Sequence, residues 1–229
     1  MTLLTAPPAD SYLGDAGDFL LINRFARRTS WLHSTMTFIA GDGLIVFAAL
    51  LVLGWWLARR QADPRAMATA LWAGIGTLVA VGVNQPIVSA VHERRPYTSI
   101  PHVLVLVDRT SDFGFPSDHA TMAGVVAMGL WMVNRRLGAV GWVAALILAF
   151  SRVYVGAHYP HDVVAGLVLG ALVVAIGYWI ARPILTWLVA RLERTRLRPL
   201  FTAAPRDHAA PSGEQDRRAI DRSNEVAER

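Results

Sequence analysis

An all-α, polytopic transmembrane bundle of about five to six spans is the fold this sequence predicts, on three observations. Apolar residues make up 54% of the 229 and charged residues only 17%, a balance that a soluble domain of this length would not carry. Several uncharged runs approach or exceed the roughly 18 to 20 apolar residues needed to cross ~30 Å of hydrocarbon. Arginines gather at alternate junctions between those runs, as they do in cytoplasmic loops.

In chain order, residues 1–14 form an N-terminal extension. No basic stretch there leads into an apolar core, so it is not a cleavable signal peptide. Residues 15–43 form an amphipathic or partly inserted helical segment. Leu21, Phe25, Leu32, Met36 and Ile39 recur in it at helical spacing, with Arg24, Arg27 and Arg28 interleaved. A membrane domain occupies 44–200. Its apolar runs are Leu44 to Leu57, Ala66 to Val91, Ala120 to Val133, Leu137 to Val155 and Val163 to Ile180. The first and third are short and reach span length with their flanking small residues. Gly166, Gly170 and Ala171 in the last run suit close helix packing, and Pro183 kinks or ends that helix near the membrane surface. Residues 201–229 are polar and charge-mixed, the composition of a disordered tail.

Arg59, Arg60 and Arg65 follow the first span, Arg135 and Arg136 the third, and Arg191, Arg194, Arg196 and Arg198 the fifth. With alternating spans these clusters share the cytoplasmic side of a plasma membrane. The loop from His92 to Pro116 and the turn from Ala157 to His161 then share the other. Arginines so placed report orientation rather than nucleic-acid binding, and no aromatic-interleaved basic patch suggests the latter. The absence of cysteine excludes disulfides, zinc–thiolate sites and thiol catalysis.

Three polar strings converge on the non-cytoplasmic side: HERRPY (His92 to Tyr97), FPSDHA (Phe115 to Ala120) and SRVYVGAHYPHD (Ser151 to Asp162). His158 and Asp162 are four apart, with Pro160 at a position suited to a first helical turn. The aspartate can take the imidazole Nδ1 hydrogen, which leaves Nε2 free as nucleophile or base. Arg152, across a turn containing Gly156, and Arg95, held by Pro96, offer guanidinium forks that match phosphate oxygens. Pro116-Ser117-Asp118-His119 begins a helix whose N-terminal amides favour an anion. Ser117 adds a hydroxyl donor, and His119 can give a proton to a leaving oxygen. Together these groups compose a metal-free phosphoryl-transfer site with nucleophile, acid and electrostatic clamp. No cofactor is implied.

The string SR-x5-H-x3-D (Ser151, Arg152, His158, Asp162) resembles the third signature of the type 2 phosphatidic acid phosphatase superfamily. PSDH resembles its second signature, usually PSGH, and Arg95-Pro96 resembles the end of its first. The resemblance covers roughly residues 40 to 190 and implies an integral membrane lipid phosphatase that works through a phosphohistidine. Carried over, it makes His158 the nucleophile and Asp162 its orienter. His119 protonates the leaving group and then helps activate water. Arg95, Arg152, Ser117 and the backbone N–H of Asp118 bind the phosphoryl group. Two positions depart from the pattern. Val88 stands where the first signature has a lysine, and Arg94 is the candidate replacement for that charge. Asp118 stands where the second has glycine, and its carboxylate must turn away from phosphate. PSDHA after a phenylalanine, in a compact chain, looks most like bacterial undecaprenyl-diphosphatases. Phosphatidic acid or phosphatidylglycerophosphate is the alternative substrate.

Competing readings are weaker. An anion transporter or binding protein needs a polar path across the bilayer, and apart from Asp42 and Asn84 the spans offer little. His161, three residues after His158, makes a metal pair conceivable, but the neighbouring arginines argue against one. It reads as a turn residue near substrate. His92, His102 and Asp108 read as exposed loop residues.

Overall fold

The computed structural model describes residues 15–203. The N-terminal extension, 1–14, lies outside them, as does the proposed disordered tail beyond residue 203. The described chain folds as α1 (Asp15–Arg28), a 3-10 turn (Ser30–Leu32), α2 (His33–Asp42), α3 (Leu44–Gln61), α4 (Pro64–Val91), α5 (Pro96–Ser99), α6 (Asp118–Val133), α7 (Arg135–Tyr154), α8 (Pro160–Leu192) and α9 (Arg198–Phe201). No strand occurs among the described residues.

Local chemistry sets the ends of the long helices. Asp63 accepts the Arg65 amide at 2.9 Å ahead of Pro64, so α4 starts on a capped turn with proline at its first position. Asn134 does the same for α7 through the Leu137 amide at 3.0 Å. At α8, Pro160 opens the helix and Asp162 accepts the Tyr159 amide at 2.9 Å.

Four helices are long and apolar enough to cross a membrane: α3, the α4–α5 stretch, α7 and α8. The remaining predicted span, third in chain order, is α6, which has only 16 residues, a rise of about 24 Å. It is the central helix, packed against α4, α7 and α8, and so faces mostly protein. Its approach to α8 depends on missing side chains: a Cβ at Gly170 would overlap the Thr121 carbonyl, as expected of a small-residue interface. The helix α8 runs through Pro183 to Leu192 rather than stopping there. Large apolar side chains such as Leu78, Val143, Ile180 and Ile184 point outward, as a lipid-facing surface requires.

The N-terminal segment is helical and packs on the bundle. The inward face of α1 is Phe19, Asn23 and Ala26, all buried, whereas Leu21 and Phe25 point outward. Asn23 clamps the following loop, accepting the Leu104 amide at 3.0 Å and donating to the Leu104 carbonyl at 2.8 Å. Tyr154 at the end of α7 donates to the Thr29 carbonyl at 2.9 Å. This segment therefore closes over the end of the bundle where the polar strings meet. At the opposite end α9 folds back on α3, where the Trp55 indole donates to the Leu200 carbonyl and the Ala203 amide to the Arg59 carbonyl.

Candidate active site

The three polar strings are stitched together through their backbones. The Gly114 amide donates to the Glu93 carbonyl at 2.8 Å, and the Ser117 amide to the Asp162 carbonyl at 3.1 Å. Between α7 and α8 the chain reverses through Gly156 at φ +84°, where a Cβ would also overlap the Leu104 carbonyl. That reversal places Arg152 and His158 on the same wall of a cavity of about 820 Å³.

His158 lies in the turn and is 2% exposed; Asp162 is fully buried. The Asp162 Oδ2 stands 3.2 Å from His158 Nδ1 while also accepting the Tyr159 amide. One carboxylate oxygen thus fixes both the start of α8 and the imidazole tautomer, with the hydrogen on Nδ1. The free Nε2 faces two guanidinium groups, Arg95 Nη1 at 3.0 Å and Arg152 Nη2 at 3.3 Å. Burial, reinforced by the positive fields of Arg152 and Arg95, holds the His158 pKa well below that of an ordinary histidine. The imidazole is thereby kept neutral, with an Nε2 lone pair directed at two buried cations.

Each guanidinium is itself held. Arg152 donates from Nη1 to the Ala40 carbonyl of α2 at 2.9 Å, and its buried Nε has no partner among the described residues. Arg95, 8% exposed, donates from Nη1 to the Ala157 carbonyl at 3.1 Å as well. Its other edge grips Asp112, from Nε to Oδ1 at 3.2 Å and from Nη2 to Oδ2 at 2.8 Å. His119 and Asp118, at the first turn of α6, line the same cavity. Ser117 is fully buried just before them, and its hydroxyl has no hydrogen-bond partner among the described residues.

Seven of the eight predicted site residues are brought together in this way. Arg94 is not among them. It is exposed and lines an adjoining cavity of about 300 Å³, which shares Arg95, Thr110, Asp112 and Phe113 with the main one, while Arg95 takes the inward position ahead of Pro96. Asp108 is an exposed loop residue, as read, and it also lines the main cavity.

Sequence reasoning missed three supports. Asn84, fully buried in α4, donates to the Asp118 carboxylate at 2.6 Å and the Pro116 carbonyl at 3.1 Å. Gln85 adds a bond to the same carboxylate at 3.0 Å. These amides donate to and hold the side chain that stands where the signature has glycine, and a buried asparagine within a span was the signal available. Thr37, Gly41 and Asp42 of α2 complete the cavity wall, a role no motif announces. Glu93 pairs with His161 Nε2 at 2.8 Å, and the same nitrogen stands 3.2 Å from Asp162 Oδ1. Glu93, His161 and Asp162 therefore bring three possible ligand atoms within 4.8 Å of one another, whereas His158 Nε2 faces the arginines.

The model of the PAP2 superfamily matches residues 69–185. The chain belongs to that superfamily. The matched span carries all three polar strings, including the His158–Asp162 pair. An undecaprenyl-diphosphatase, BcrC of Bacillus subtilis, is 33% identical over 159 residues, covering 69% of this chain and 77% of the relative. A decaprenylphosphoryl-5-phosphoribose phosphatase of Mycobacterium tuberculosis is 38% identical over 137 residues, covering 59% and 72%. The crystal structure of a PAP2 type phosphatidylglycerolphosphate phosphatase from Bacillus subtilis superposes with a TM-score of 0.53 at 20% identity, covering 82% of this chain and 93% of that one. Aquifex aeolicus LpxE superposes at 0.51 and 23%, covering 76% and 99%. These two likenesses speak to fold alone. As a PAP2 protein with several apolar helices, the chain is a multi-pass membrane lipid phosphatase.

Proposed function

We propose that this PAP2 protein removes the terminal phosphate of a polyprenyl diphosphate, converting undecaprenyl diphosphate to undecaprenyl phosphate through a phosphohistidine. The observation that carries the mechanism is His158 itself, with Nδ1 committed to Asp162 and Nε2 aimed into the cavity between Arg95 and Arg152. Attack by Nε2 forms an N–P bond as the bond from phosphorus to the bridging oxygen breaks. His119 gives its proton to that oxygen, so undecaprenyl phosphate leaves. Water then attacks the phosphohistidine, His119 takes the water proton, and inorganic phosphate departs with Nε2 restored. Arg95, Arg152, the Ser117 hydroxyl and the Asp118 amide at the α6 N-terminus stabilise the charge in both displacements.

The substrate class rests on the polyprenyl-acting relatives, and the metal-free route on the arginines facing the nucleophile. Purified protein in detergent should release phosphate fastest from undecaprenyl diphosphate in a panel with phosphatidic acid, phosphatidylglycerophosphate and decaprenylphosphoryl-5-phosphoribose. EDTA should leave the rate unchanged. Preference for another lipid reassigns the substrate, and loss of activity on chelation sinks the metal-free route.

The site faces away from the cytoplasm. Arg59, Arg60, Arg65, Arg135, Arg136, Arg191, Arg194, Arg196 and Arg198 lie at or beside the opposite ends of α3, α4, α6, α7 and α8, and such clusters stay inside. The chain has no cysteine, so one introduced at Ser111 or at Gln61 reports its side cleanly. An impermeant maleimide applied to intact cells should label Ser111→Cys and spare Gln61→Cys. The reverse pattern inverts the topology.

A further inference from the structure

Arg95 presents its guanidinium in an unusual way for a residue that must receive phosphate. The edge formed by Nε and Nη2, the one that matches a carboxylate or phosphate in pairs, is already filled by both oxygens of Asp112. Only Nη1 turns toward His158 Nε2, sharing itself with the Ala157 carbonyl. Asp112 belongs to the loop between α5 and α6 and lines the catalytic cavity along with His119, Arg152 and His158. Its side chain is 58% exposed, so it stands at the mouth rather than in the core. Burial alone would raise its carboxyl pKa, but the bonds from Arg95 and Thr110 hold it below the usual carboxylate range. The group is therefore an anion at neutral pH.

We infer that Asp112 is a built-in counter-anion of the phosphoryl cradle, which fixes Arg95 in its working orientation and limits how tightly the site holds phosphate. The inference rests on the cradle described above. Asp112 takes one unit of positive charge from the pair Arg95 and Arg152, while Asp42, Asp108 and Asp118 line the same cavity and Asp162 meets Nδ1 with or without it. A phosphoryl group on Nε2 then meets Arg95 through Nη1 alone, and Arg152 through Nη2 and the unpartnered Nε. Such a site still stabilises the charge that develops during transfer. It binds the product anion, phosphate, less tightly than two bare guanidinium groups would. A lipid held in part by its chain needs less grip from the cradle than free phosphate does, so the carboxylate favours turnover by weakening the product more than the substrate.

The two possible roles of Asp112 predict opposite results when its charge is removed. If it only positioned Arg95, Asp112→Asn would loosen the arginine and weaken phosphate binding. If it is a counter-anion, Asp112→Asn binds inorganic phosphate and vanadate more tightly, on the order of tenfold, and phosphate inhibits turnover at correspondingly lower concentration. Asp112→Glu, which keeps the charge, should stay near wild type. Asp112→Ser gives a second neutral variant should the asparagine form fold poorly. The measurement is calorimetric or ³¹P NMR titration of full-length protein in detergent with inorganic phosphate. Equal or weaker binding by the neutral variants overturns the inference, and so does an absence of phosphate binding by all forms. Because binding needs no turnover, failure of every lipid in the substrate panel would sink the proposed function and leave this measurement standing.

Discussion

His158→Asn leaves less than about one ten-thousandth of wild-type turnover, yet the protein folds and retains inorganic phosphate. The imidazole Nε2 is the only nucleophilic nitrogen set between Arg95 and Arg152 among the described residues, and no other side chain can form the N–P bond from that place. Asparagine fills part of the volume and leaves both guanidinium groups where they are, so the anion site survives. Phosphate release measured beside ³¹P titration separates the two effects. Turnover within tenfold of wild type would show that the covalent route runs elsewhere. An acid-labile, base-stable phosphoenzyme trapped from wild type and absent from the variant is the companion result.

Asp162→Asn comes second, with kcat lower by about a hundredfold to a thousandfold and KM little changed. The asparagine carbonyl can still accept the Tyr159 amide, so the start of α8 is kept at a cost of about 1 kcal/mol from the lost charge near the helix N-terminus. What fails is charge compensation. The oxygen that accepts the Tyr159 amide is the same one that faces His158 Nδ1, so a neutral carbonyl there still orients the ring but no longer offsets the positive charge the imidazole gains as Nε2 bonds to phosphorus. Steady-state kinetics and a thermal melt distinguish this from unfolding: a small shift in Tm with a large fall in kcat is expected. A proportionate loss of both would mean that Asp162 serves only the helix.

The spans were legible because hydrophobic length and arginine spacing are local, additive properties of a chain in a bilayer. The grouping of His158, Asp162 and Arg152 was legible because four- and six-residue spacings across one tight turn leave few geometries. The inward face of α1 was not. In a lipid environment apolar residues point outward as well as inward, so Leu21 and Phe25 gave the same periodic signal as a core stripe. The choice between Arg94 and Arg95 was equally hidden, because adjacent side chains diverge and only the backbone before Pro96 decides which one enters the cavity.

The sequence by itself determined a membrane-spanning helical chain with its signature arginines, histidines and aspartates gathered into one set at one end, since hydropathy and short-range spacing suffice for both. Only the tertiary structure decided how that set is charged and held. Asn84 and Gln85 reach Asp118 across 34 and 33 residues, Asp112 reaches Arg95 across 17, and the Ala40 carbonyl holds Arg152 across 112. Such partners are chosen by which helices pack together, and in a bilayer that is settled by close fit between small residues and by buried hydrogen bonds rather than by any pattern along the chain.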